Sequence, residues 1–188
     1  MPTERETKLI IIIGYNGTGK TTLSKKIVME ALKHNQRVLI VTPDDIEWRT
    51  IPLVHHRHKH HIQTYTGARR IIYEDEETLK SIINYFDNGL LLFDDCRSYL
   101  TSNTNADLHK LLIRRRQKMI DIVAVGHGFT EIPPKFFTFA SDIALFSTKD
   151  NIKRRKDVLK DFDRMAYEQN AVNQLALKNP HAYKIIKQ

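Results

Sequence analysis

The chain has 188 residues, enough for one domain with a full core and short for two. A single cysteine, Cys96, excludes an internal disulfide framework and suits a reducing compartment, and no run approaches the ~20 apolar residues that span a bilayer. The formal charge of +8 and a pI of about 9.5 are compatible with a polyanionic partner such as nucleic acid without specifying one. The opening MPTERETK is polar and has no apolar signal region, so a soluble protein of the cytoplasm is expected.

In chain order, the wholly apolar run KLIIIIG (8–14) predicts a strand buried on both faces, as in a parallel sheet. Residues 20–35 carry apolar side chains at 23, 27, 28 and 31, which is helical spacing. QRVLIVTPDD (36–45) reads as a second strand stopped by Pro43, and residues 46–75 read as irregular and rich in histidine. Residues 76–88 predict a helix with Leu79, Ile82, Ile83 and Phe86 on one face. GLLLFDD (89–95) is the third strand, 106–119 a helix, IDIVAVGHG (120–128) the fourth strand and DIALFST (142–148) the fifth. The remainder reads as a charged helical tail. Alternating strands and helices predict an α/β fold with a mainly parallel sheet, in one domain over 1–150 with a basic helical appendage over 151–188.

GYNGTGKT, Gly14 to Thr21, fits G-x-x-x-x-G-K-[ST] between a strand and a helix. Such a loop curls at its glycines so that backbone N–H groups converge on phosphate oxygens, and the helix N-terminus adds partial positive charge. Gly14, Asn16, Gly17, Thr18, Gly19, Lys20, Thr21 and Thr22 are the expected nucleotide-binding residues. Lys20 is expected on the β- and γ-phosphates of ATP, and the Thr21 hydroxyl on Mg2+. A second question attaches to Asp94 and Asp95, adjacent carboxylates at the end of a buried run, which repel one another unless a cation or proton is shared. A phosphate loop needs an Asp at the end of a neighbouring strand to hold its Mg2+. Asp94 fits that role. Asp95 either faces the γ-phosphate and polarises the attacking water or caps the next segment.

The ordered set GYNGTGKTTL, LLLFDDCRSYL, LLIRRRQKMIDIVAVGHG and SDIALFST, spread over residues 8–150, resembles the FtsK/HerA branch of P-loop ATPases. The resemblance is to the small DNA-packaging ATPases of viruses and to the ATPase domain of zonula-occludens-toxin-like phage assembly proteins. It implies a three-layer P-loop NTPase fold and Mg2+-dependent ATP hydrolysis. It also implies a homo-oligomeric ring of five or six subunits, duplex DNA as the translocated partner, and a capsid or portal protein. His127, closing the fourth strand, takes the place of the sensor that contacts the γ-phosphate or the attacking water. Arg114, Arg115 and Arg116 take the place of arginines that reach a neighbouring subunit's ATP, with Arg115 and Arg116 the stronger candidates and Arg97 a third. Two departures stand out: Asp95 is one methylene shorter than the Glu often found there, and the sensor is a His.

Gly126 and Gly128 bracket His127 in a chain of only seven glycines, which reads as close backbone approach to a ligand. A His that hydrogen-bonds a turn is the plainer reading. Arg115 falls on the helix stripe of Leu108, Leu111, Leu112 and Met119, so it either meets another subunit or snorkels. HHRHKHH (55–61) reads as a basic loop on DNA phosphate or a capsid, as an ordinary solvated loop, or as a metal site. The charged stretch 153–164 reads as a solvated helix face, with a subunit or DNA contact as the alternative. The function expected is a viral genome-packaging motor, with the protein in the host cytoplasm or on the virion. The alternatives are a small-molecule P-loop kinase and a phage assembly or export ATPase.

Overall fold

The computed structural model describes residues 6–44, 46–100 and 105–188; Asp45, at the end of the stretch 36–45 that reads as the second strand and its stop, lies outside them. The strands are β1 (Leu9–Ile13), β2 (Arg37–Thr42), β3 (Ala68–Ile72), β4 (Gly89–Phe93), β5 (Ile120–Gly126), β6 (Asp142–Phe146) and β7 (Tyr183–Lys187). The helices are α1 (Lys20–Lys33), α2 (Lys59–Gln63), α3 (Glu76–Tyr85), α4 (Asn105–Arg114), α5 (Pro134–Phe139) and α6 (Phe162–Ala176). One sheet takes the order β3-β2-β4-β5-β1-β6-β7, parallel throughout except for β7, which runs antiparallel to β6.

Successive side chains on a strand face opposite sides of the sheet, and here both sides are covered. Ile12, Ile40, Leu92 and Val123 pack with Val28 and Ala31 of α1 and with Trp48. Ile11, Ile13, Leu39, Leu91 and Phe93 pack on the other side with Leu79 and Ile82 of α3, Leu108 and Leu111 of α4 and Phe136 of α5. That double coverage is why the central strands read as continuous apolar runs. The result is the three-layer α/β/α arrangement expected.

Four elements, α2, β3, α5 and β7, differ from the sequence reading. The segment expected to be irregular contains α2 and the edge strand β3. Its sequence ARRII hides the apolar signal because Arg69 lies along Tyr65, 5.3 Å from the ring centre, while the Arg70 Nε–H donates to the Ile51 carbonyl at 2.7 Å. The short helix α5 was also unread. Residues 151–188, expected as a helical tail, supply α6 and then β7, which pairs Ile143 with Ile186 in the same sheet. Only Ile186 of that strand is buried, so YKIIK carries too little apolar alternation to announce a strand.

Arg115 is accounted for inside its own chain. It is 4% exposed, and its guanidinium donates to the Thr7 carbonyl at 3.0 Å and to the Thr7 hydroxyl at 2.9 Å. Burial lowers its pKa, and the neighbouring Arg116 adds to the effect. Thr7 precedes β1, so this contact ties the end of α4 to the start of the central strand, at the sheet edge away from the phosphate loop. Arg114 and Arg116 are exposed at the same end. Arg115→Ala should therefore lower stability by about 2 kcal/mol through lost charge-assisted bonds and an orphaned carbonyl. A thermal melt checks this; an unchanged Tm would show that the Thr7 contact contributes nothing.

Candidate active site

In a parallel sheet the loops that leave the C-terminal strand ends share one edge, and ligands gather where those ends lie side by side. Here β4, β5 and β1 are adjacent. Their C-terminal loops carry the Asp94–Asp95 pair, His127 and the phosphate-loop motif respectively. Three segments far apart in sequence thereby meet in a cleft of about 460 Å3, lined by Asn16, Gly17, Gly19, Lys20, Thr21, Thr22, Asp94, Asp95 and His127.

The loop after β1 is pinned on both sides. The Gly14 N–H donates to the Gly126 carbonyl and the Tyr15 N–H to the Ser147 carbonyl. Gly17 (φ 79°) and Gly19 (φ 104°) take left-handed conformations that a side chain would disfavour. Gly19 caps α1 with no side-chain hydrogen bond, and the first turn holds no acidic residue, so the helix start presents its N–H groups to an external acceptor. Gly14 and Thr18 are buried behind the loop; the Thr18 hydroxyl donates to the Tyr15 carbonyl at 2.7 Å.

The Lys20 ammonium donates to the Tyr15 carbonyl at 2.9 Å and lies 3.2 Å from His127 Nδ1. Burial lowers its pKa, and Asp94, Asp95 and Glu131 act against that. Asp94 is held by Trp48, whose indole N–H donates to Oδ2 at 2.7 Å. Burial raises the Asp94 pKa; the Trp48 bond opposes the rise, Glu47 and Asp95 add to it, and Lys20 offsets part of it. Asp95 has φ 45° and ψ 56°, a left-handed conformation that Asp tolerates better than most residues. Its Oδ1 lies 3.6 Å from His127 Nε2, so the imidazole spans Lys20 and Asp95.

Glu131 anchors this arrangement from behind. It accepts from the His127 backbone N–H at 3.0 Å and from the Arg97 guanidinium at 2.6 Å. Arg155 donates to the carbonyls of Phe129, Thr130 and Ile132, bracing the same loop from the C-terminal segment. Gly126 and Gly128 are small for the protein's own packing. A Cβ on Gly126 would stand 2.7 Å from Ile132 Cδ1, and one on Gly128 would stand 2.5 Å from Asp150 Oδ2. Both glycines thus serve close packing around the His127 turn, and Gly126 also lines the cleft.

Trp48, Glu131 and His181 were not singled out in the sequence. His181 borders the cleft and lies along Gly19, and Tyr183 stacks on Phe146 with ring centres 4.7 Å apart. Gly19, Thr22, Lys26, Phe146, His181 and Tyr183 line an adjoining cavity of about 250 Å3. Arg115 and Arg116 are not among the cleft residues.

The donor set suits a magnesium nucleotide: backbone N–H groups and an ammonium for phosphate, and a hydroxyl and a carboxylate as hard oxygen ligands. The Asp94 carboxylate, whose charged form burial disfavours, opens on the same cleft as Asp95 and Thr21, and this is the observation that fits a divalent cation.

Fold and site together define a P-loop NTPase fold. No protein-family model and no curated protein matches the sequence. Among solved structures, the genome packaging NTPase B204 from Sulfolobus turreted icosahedral virus 2, in complex with AMP, superposes with TM-score 0.76 at 12% identity, covering 96% of this chain and 92% of that one. The same NTPase in complex with ATP-gammaS superposes with TM-score 0.65 at 13% identity, over 96% and 92% of the two chains. The pCW3 conjugation coupling protein TcpA superposes with TM-score 0.54 at 13% identity, over 85% of this chain and 54% of that chain. At these identities the likeness establishes the fold. Among the described residues no helix is long and apolar enough to cross a membrane.

Proposed function

We propose that the protein is a Mg2+-dependent ATPase that drives duplex DNA, as a viral genome-packaging motor. The observation that carries the reading is the convergence of Lys20, the Asp94–Asp95 pair and His127 at three adjacent strand ends. Lys20 and the loop N–H groups bind the β- and γ-phosphates. Thr21 and Asp94 would hold Mg2+, which when bound neutralises charge building on the phosphates. Asp95 orients the attacking water and takes its proton as the β–γ phosphoanhydride bond breaks. His127 fixes the Asp95 carboxylate and, through Glu131 and Arg97, keeps its own place beside Lys20. The base and ribose of ATP would occupy the cavity at Phe146, His181 and Tyr183.

The fold likeness to a packaging NTPase and the net charge of +8 support DNA as the partner. Subunits would form a ring of five or six in the host cytoplasm or on the virion, docking on a capsid or portal protein. Arg116, exposed and uncommitted to the cleft of its own chain, is the candidate to reach a neighbour's nucleotide, since Arg115 is occupied by Thr7. Duplex DNA should raise the ATPase rate, and added salt should reduce that stimulation steeply because phosphate contacts release counterions. Steady-state ATPase measured with and without DNA over a salt series tests this. Phosphate transfer to a nucleoside or nucleotide, with no effect of DNA, would decide for a kinase.

A further inference from the structure

The histidine-rich segment is not a loose loop at its start. Leu53 bridges Arg70 of β3, and the Val54 N–H donates to the Arg70 carbonyl at 2.8 Å. The chain therefore leaves this contact with His55 and His56 beside Glu74, which follows β3. His55 Nε2 lies 3.0 Å from Glu74 Oε1, and His56 Nδ1 lies 3.7 Å from Glu74 Oε2. One ligand atom from each of the three side chains falls within 4.8 Å of the others. His56 is 5% exposed, and its Nδ1 has the Thr78 hydroxyl at 3.4 Å. The Glu74 N–H donates to that same hydroxyl at 3.3 Å, which fixes Glu74 relative to His56.

We infer that His55, His56 and Glu74 form a binding site for a divalent transition-metal cation of the Zn2+ class. The two imidazoles stack with centres 4.5 Å apart and both present a ring nitrogen to the Glu74 carboxylate. A divalent cation accepts both nitrogen lone pairs and the carboxylate together. Two His and one carboxylate are the ligand set that favours Zn2+ over Mg2+ or Ca2+, with the fourth position left to water or a further side chain. His58, whose ring lies 5.9 Å from that of His55, stands beside it. Binding at His55 Nε2 moves that ring's proton to Nδ1 and turns the exposed Arg57 N–H, now 3.2 Å from Nδ1, toward water. The site is separate from the phosphate cleft, because β3 is the sheet edge and β2 lies between it and β4. A bound cation would clamp the basic segment 55–61 to the exit of β3.

The test uses the full chain stripped with EDTA. Zn2+ is titrated against a chromophoric chelator, and Co2+ is added separately to read coordination from its visible bands. One tight Zn2+ per chain is expected, together with a tetrahedral-type Co2+ spectrum. His55→Ala and Glu74→Gln, both at partly exposed side chains, should each weaken Zn2+ at least about tenfold and abolish the Co2+ bands. The double variant His60→Ala, His61→Ala should bind as the wild type does. Circular dichroism confirms that each variant is folded, and should one of the two ligand variants unfold, the other decides. Binding that survives both ligand variants, or that is lost with His60 and His61 instead, would overturn the site and mark the affinity as that of exposed histidines.

Discussion

Lys20→Ala should reduce ATP hydrolysis by about 10²–10³-fold or more, since it removes a preorganised charge aimed at the transferring phosphoryl group. Lys20 is 8% exposed, and its ammonium is oriented by the Tyr15 carbonyl and His127 Nδ1 rather than by a carboxylate. That arrangement leaves its charge for a phosphate. Nucleotide affinity should fall as well, because the ground state uses the same contact. Misfolding would not explain the loss: burial already disfavours the charged lysine, and the Tyr15 carbonyl keeps its two donors from Thr18. The variant should melt no earlier than the wild type without ligand. Turnover assays and fluorescent-nucleotide binding check both arms, and unimpaired hydrolysis in a folded variant would remove the phosphate loop from the mechanism.

The two adjacent aspartates should separate cleanly. Asp95→Asn keeps a residue that tolerates the left-handed backbone, so the turn after β4 survives while the proton acceptor is lost. Turnover should drop by about 10²–10⁴-fold with ATP affinity nearly intact. Asp94→Asn should behave differently. Burial raises the pKa of Asp94, so the native protein holds a proton there more tightly than the unfolded chain does. Without ligand, that group's contribution to stability is largest in acid and is lost as pH rises through the raised pKa. At neutral pH the charged carboxylate is a liability, and the neutral amide, still able to accept from Trp48, should raise the ligand-free Tm. The same change should blunt the Mg2+ dependence of ATP binding. Melting curves and affinities with and without Mg2+ distinguish the two variants; wild-type turnover in Asp95→Asn would strip it of its assigned role.

The parts of this fold that were legible in the sequence are those where burial on both faces leaves an unbroken apolar run: β1, β2, β4, β5 and β6. The glycine-lysine loop and the acid pair were legible because their chemistry is local. What was not legible depends on contacts across the fold. The edge strands β3 and β7 each bury little, so their arginines, lysines and tyrosine hide the alternation. Trp48 acquires its role only when its indole meets Asp94, 46 positions away, and Glu131 when the Arg97 guanidinium, 34 positions earlier, reaches it. Arg115 was read as meeting another subunit or snorkelling, whereas it is buried within its own chain. The partner that satisfies it, Thr7, lies 108 positions earlier, and no spacing rule would have found it.

The strand order has a consequence for how the chain folds. The contacts that close the cleft between strands join segments that are remote in sequence; Lys20 and His127 are 107 positions apart. Such contacts close large loops before they return any energy, so they form late and slowly compared with local helices. The phosphate loop is synthesised early, yet its lysine has no imidazole beside it until β5 has inserted between β1 and β4. The wall at His181 and Tyr183 waits longer still, for β7 to dock on β6. A partly folded chain thus carries the complete loop motif before the cleft around it exists.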